Sequence, residues 1–152
     1  MTMVFVLNAK KVVLFVQMMK IVVSKQAGLV CHPAHGHMDG TLVNALINHC
    51  GKENLCNVQD DNNRLGIVHR LDADTSGLMI CAKSNEAGII LSQDMKNHST
   101  SRHYMALVCG EVAQESGKIE VPLLRTLSKH GPKMKASTDS KYYKLACIIN
   151  KM

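Results

Sequence analysis

The sequence predicts an α+β fold with a mainly antiparallel, mixed β-sheet core and a few flanking helices. Three observations carry this. Short runs rich in Val, Ile, Leu and Phe recur along the 152 residues. Two segments instead repeat apolar residues at helical spacing. The two kinds of segment do not alternate regularly, as a parallel sheet with crossover helices would require. The length suits one domain. The hydrophobic fraction of 46% and charged fraction of 20% exclude a disordered chain. Aromatics make up 3% of the chain. Aliphatic residues and Met must therefore fill the core, and stacking surfaces for bases are scarce.

Residues 3–7, 12–16 and 19–24 read as strands on their β-branched content. Residues 31–40 form a loop punctuated by Pro33, Gly36 and Gly40. Thr41 then suits an N-cap. Leu42, Val43, Leu46 and Ile47 recur at helical spacing, and Gly51 stops the helix. A polar loop over 52–63 leads to a strand at 65–69, a polar turn from Arg70 to Gly77, and a strand over 77–83. Ser84 caps a second helix, with Ala87, Ile90, Leu91 and Met95 on its apolar face. Strands are expected at 102–109, 133–137 and 141–149. Residues 119–122 read as a short edge piece, because Pro122 cannot donate to a ladder.

The net charge of +6 is unevenly placed. Residues 1–94 carry eight basic and eight acidic groups, whereas residues 95–152 carry ten basic and four acidic ones. A polyanionic partner, most often nucleic acid, fits this asymmetry, and a solvated lysine-rich surface fits it equally well. Lys133 and Lys135, with Arg125 and Lys129, read as a basic patch for phosphates. No 18-residue apolar span or secretory leader is visible, so the expected setting is the cytoplasm. The six cysteines lack a C-x-x-C pair and mostly lie in apolar runs, where they read as small buried hydrophobes. Cys31, His32, His35 and His37 have metal-like spacing. Without a second ligand cluster they read as a polar loop, and no metal site is expected.

The chemistry concentrates in His69-Arg70-Leu71-Asp72-Ala73-Asp74-Thr75-Ser76-Gly77, between two apolar segments. Arg70, two residues before Asp72, would keep that carboxylate ionised even when half buried. An ionised carboxylate suits nucleophilic attack or proton abstraction. For Asp74, Thr75 or Ser76 taken singly, hydrogen bonding to the turn's own backbone is the commoner reason to be there. Asp72 and Asp74 as a hydrolase pair, ~7 Å apart on one face, is a weaker reading.

His69 to Lys83 resembles the H-R-L-D-x-x-T-S-G-L-x-x-x-A-K signature of the RluA/RluD family of RNA pseudouridine synthases. Ala27-Gly28-Leu29 through His32-Pro33, with Asp39-Gly40-Thr41 and Asn44-Ala45-Leu46, resembles the family's upstream segment. Arg102-His103-Tyr104-Met105-Ala106 resembles its K/R-x-Y-x-A strand, and Val121-Pro122-Leu123 with Lys133-Met134 its P-I…K-M stretch. The likeness runs from about residue 19 to about 146 and leaves residues 1–18 poorly matched.

The resemblance implies one catalytic domain over 1–152, pseudouridine synthase-like and incomplete at its C-terminal end. It implies a cofactor-free isomerase acting on structured RNA, with large-subunit ribosomal RNA the favoured substrate and no obligate protein partner. Asp72 would be the nucleophile, and Tyr104 would stack on the target base and assist proton transfer. His69, Arg70, Thr75, Arg102, Arg125 and Lys133 would bind or position the RNA. The family's G-R-x-H-Q-I-R segment, whose arginine pairs with the catalytic aspartate, has no counterpart here. The alternative is therefore an impaired RNA-binding remnant or fragment, with an apolar sheet edge left open.

Overall fold

The computed structural model describes residues 3–7, 12–58, 60–128, 131–137 and 143–150. The chain divides into two compact units, Met1–His103 and Tyr104–Met152. Every ladder among the described residues is antiparallel, in two separate sheets.

In the first unit, β1 (Met3–Leu7), β2 (Val12–Gln17), β3 (Lys20–Lys25) and β4 (Gly77–Ala82) lie in sheet order 1-2-3-4. The β3–β4 register pairs Ile21 with Cys81 and Val23 with Met79. These four side chains are fully buried, because alternate residues of each strand face one side. Leu42, Val43 and Leu46 of α1 (Leu42–Cys50) close the core over them, with Leu29, Leu55 and Leu65.

Thr41 caps α1 as its sequence predicts. Its hydroxyl accepts from the Asn44 amide, while Asn44 Oδ1 accepts from the Thr41 N–H at 3.0 Å. Gly51 ends the helix at φ +82°. Two single 3-10 turns, Lys52–Asn54 and Asn62–Arg64, follow.

The strand expected at 65–69 does not form. Leu65-Gly66 turns instead, and a lone bridge joins Ile67 to Cys81. Gly66 sits at φ +75°, where a Cβ would stand 3.1 Å from the Ala82 carbonyl, so this residue both bends the chain and lets it approach β4. The approach covers part of the outer edge of β4. The Ala82 N–H donates to Gly66 O at 2.8 Å, and the Cys56 N–H donates to Ala82 O at 3.1 Å.

The inward face of α2 (Asn85–Lys96) agrees only in part with the one its spacing suggests: Ala87 is buried and Leu91 packs beside it. Ser84 caps it as expected. The buried residues are Ala87 and Gly88, however, and Ile90 is exposed. Gly88 packs so closely on Cys56 that a Cβ there would collide with the sulfur. The missing side chain lets this part of the helix approach Cys56.

In the second unit, β5 (Ser116–Ser128) lies between β6 (Gly131–Ala136) and β7 (Tyr143–Asn150). The piece expected at the sheet edge, 119–122, is thus the middle of a 13-residue central strand. Pro122 is tolerated because its carbonyl points to the β6 side, where it accepts the Ser137 N–H at 2.9 Å. The position of its missing N–H faces the same way, one residue before the β6 ladder begins at Leu123–Ala136.

The strand expected at 102–109 does not form: these residues join no ladder among the described residues, and all are exposed. Cys109 is exposed with them, contrary to the expected burial, and Cys50 is half-buried, whereas Cys31, Cys56 and Cys81 are buried. The side chain of Cys147, Lys129 and the 141–142 part of the last expected strand lie outside the described residues.

Candidate active site

The 69–77 segment alternates. His69, Leu71, Ala73, Thr75 and Gly77 are half-buried, while Arg70, Asp72, Asp74 and Ser76 are exposed. The inward residues carry the fastenings. The Ile80 N–H donates to His69 Nε2 at 3.0 Å. Leu71 packs on the core, and its carbonyl accepts from Cys31 Sγ at 3.1 Å. The Ala73 carbonyl accepts twice, from the Gly28 N–H and from Lys25 Nζ, each at 2.9 Å. The Thr75 N–H donates to Asp72 O at 3.1 Å and closes a turn around Ala73-Asp74. Gly77 enters β4 at φ +146°, beside the Leu71 side chain, a backbone conformation that favours glycine.

Lys25 was not singled out by its sequence. It continues the inward alternation Ile21, Val23, Lys25 at the end of β3, and it is 1% exposed. Its three ammonium donors meet three backbone carbonyls, of Gln26 at 3.0 Å, Leu29 at 2.8 Å and Ala73 at 2.9 Å. A buried ammonium would otherwise be costly, and here it ties the 26–29 turn to the residue after Asp72. The signal was a lysine in phase with buried residues of a strand.

Asp72 therefore projects from a turn whose backbone is pinned on both sides. Arg70 shares its exposed face, yet no ion pair joins the two among the described residues. The His69 pKa is lowered, first by burial and then by the Arg102 guanidinium. Arg102 is thus near this loop in the first unit, whereas Tyr104 opens the second unit and is 66% exposed. Thr75 contributes its backbone to the turn.

Strand register separates the expected basic patch. Lys133 pairs with Thr126 and Lys135 with Leu124, so these two lysines share one face of the second sheet. Arg125 pairs with Met134 and lies on the opposite face, because neighbouring residues alternate across a strand. Lys118 is on the lysine face and pairs with Glu120 at 2.9 Å.

Among the described residues, no group of three or more His, Cys, Asp or Glu side chains is placed to hold a metal ion. Cys31 instead bonds Leu71 O, and His32 Nδ1 lies 3.0 Å from Pro33 O. No helix among the described residues is long and apolar enough to cross a membrane.

An α+β protein that presents an acidic loop just ahead of an edge strand finds its counterparts among enzymes that modify uridine in RNA. The family model described as RNA pseudouridylate synthase matches residues 20–151. The ribosomal large subunit pseudouridine synthase D of Pseudomonas aeruginosa is 49% identical over 105 residues, 69% of this chain and 31% of that protein. The protein of the same name from Nitrosomonas europaea is 44% identical over 105 residues, 69% of this chain and 28% of its own. The chloroplastic RNA pseudouridine synthase 2 of Oryza sativa is 34% identical over 139 residues, covering 69% of this chain and 31% of that protein. The chain belongs to the RNA pseudouridylate synthase family. It spans about a third of the length of the curated relatives it matches.

Proposed function

We propose that the chain carries the catalytic loop of an RNA pseudouridine synthase, with Asp72 as nucleophile. The observation that supports this best is the alternation of the 69–77 loop. Its backbone is pinned at His69, Leu71 and Ala73, and Asp72 is held outward between two of those anchors. A reacting group fixed by its backbone needs little reorganisation when substrate arrives.

In this reading the Asp72 carboxylate attacks C1′ of the target ribose, and the N1–C1′ bond breaks to release the uracil as an anion. The base turns, C5 bonds to C1′, and the carboxylate leaves with its electron pair. C5 gives up its proton and N1 gains one, so the product is an isomer and no redox partner is consumed. Tyr104 would stack on the flipped base, an interaction worth ~1–3 kcal/mol. Arg70 and Arg102 would contact the RNA near the loop, Lys133 would meet phosphates from the lysine face, and Arg125 would do so from the opposite one. Large-subunit ribosomal RNA is the proposed substrate, on the names of the relatives.

The loss of the C5 hydrogen gives a direct test. RNA carrying tritium at C5 of uridine should release tritium to water, one per pseudouridine formed, with no free uracil. Free uracil that keeps its tritium, with none released to water, would mean hydrolysis and would defeat the reading.

A second reading is a remnant that binds RNA without turnover. It is favoured by the absence, among the described residues, of an ion-pair partner for Asp72. It predicts salt-dependent RNA binding with no tritium release.

A further inference from the structure

His69 follows the 65–68 turn, with its ring half-buried beside β4. The Ile80 N–H donates to Nε2 at 3.0 Å. A ring nitrogen that accepts an N–H carries no proton, so a neutral His69 must hold its proton on Nδ1. Ile80 and Ala82 both turn their amides to the outer side of β4. Gly66 O receives the Ala82 amide, and no strand carbonyl stands where the Ile80 amide points. The imidazole takes that carbonyl's place.

The other anchors of the loop accept at the Leu71 and Ala73 carbonyls, from the Cys31 thiol, the Lys25 ammonium and the Gly28 amide. His69 is the anchor whose accepting atom itself titrates near neutrality. Arg102 is the charged group from outside the loop that acts on the ring, and it disfavours a second positive charge. Arg70 and Asp72, from the loop itself, point outward. β4 contributes Cys81, whose thiol is pushed up to about 12 by burial and stays neutral. Asp61 and Arg64, in the segment before His69, pair with each other at 3.3 Å.

We propose that His69 is a positioning residue for Asp72, a latch that is closed while its ring is neutral and accepts the Ile80 amide, and that opens when the ring is protonated. Protonation sets N–H against N–H and removes the anchor three residues before Asp72. Burial and Arg102 both lower the His69 pKa, so the latch stays closed at neutral pH and opens on acidification. The consequence for catalysis rests on the reading of Asp72 as nucleophile, but the latch does not.

Nitrogen-15 NMR of the full chain, with amide exchange corrected for intrinsic rates, tests the latch. At neutral pH the His69 ring should show the Nδ1–H tautomer. On acidification through the His69 transition, protection of the Ile80 and Thr75 amides should fall about tenfold. His69→Gln, whose side-chain oxygen can accept the same N–H, should keep both amides protected with no such step. His69→Ala should leave both poorly protected at every pH. An Nε2–H tautomer, or Ile80 protection unchanged in His69→Ala, would overturn the latch. Loss of Ile80 protection alone, with Thr75 still protected, would reduce His69 to an edge seal and overturn the positioning role. Should His69→Ala not fold, the tautomer and the His69→Gln titration still decide. None of these readouts involves turnover, so they hold or fail apart from the role of Asp72.

Discussion

Lys25 Nζ and the Gly28 amide both donate to the carbonyl of Ala73, each at 2.9 Å, and so fix the backbone beside Asp72. The ammonium is buried and fully used. Lys25→Met would fill the volume but strand three carbonyls. Hydrogen bonds from a charged donor are worth ~1.5–3 kcal/mol each, and relaxation recovers part of that. The expected loss is ~3 kcal/mol in urea unfolding. A loss under ~1 kcal/mol would show that the three bonds do not carry the turn.

Gly88 predicts an inversion of helix propensity. Ala is the better helix former by ~1 kcal/mol. Even so, Gly88→Ala should destabilise by ~1–3 kcal/mol, because its Cβ would collide with Cys56 Sγ. Adding Cys56→Ala should recover stability relative to that single variant. Thermal unfolding of the three proteins checks the coupling, and independent effects would contradict it.

The pH dependence of stability has a definite sign. The His69 pKa is lowered in the folded chain from an ordinary value of 6.5, so the unfolded chain binds the proton more readily. Its contribution is fully present above the ordinary value and is lost as pH falls toward the lowered folded one. The stability difference between wild type and His69→Gln, measured by urea unfolding across pH, should be flat above pH 6.5 and fall on the acid side. A difference that rises on acidification would contradict the assignment.

The two faces of the second sheet should separate in RNA binding. Each phosphate contact adds ~0.7–0.9 to the slope of log affinity against log salt. Lys133→Ala with Lys135→Ala should lower that slope by ~1.5, and Arg125→Ala alone by no more than ~0.8. The losses should add in the triple variant, because Arg125 lies on the opposite face. A triple variant no weaker than the lysine pair would show that Arg125 makes no contact of its own.

Local signals in the sequence were the reliable ones. Thr41 and Gly51 mark the ends of α1 because capping is decided within one turn of helix. The loop before β4 was legible as a dense polar string between apolar segments, and its resemblance to a known family is matched by the family model. What escaped depends on partners distant in sequence. Gly66 turns the expected 65–69 strand into a contact with β4. Gly88 meets Cys56, and Ile90 lies in solvent. Pro122 fits a central strand because its neighbour starts one residue later. The register that parts Arg125 from Lys133 cannot be read from a count of charges. Lys25 escaped because a lysine in a strand is ordinarily assigned to solvent.

The role of Asp72 is tested most directly by comparing Asp72→Asn with Asp74→Asn. Both carboxylates are exposed on the same short loop, and each variant keeps the shape of its side chain. Pseudouridine formed in a large-subunit ribosomal RNA transcript would be counted by mass spectrometry for each. Asp72→Asn should give no pseudouridine above background, and Asp74→Asn should give near-normal formation. Undiminished formation with Asp72→Asn would contradict that role.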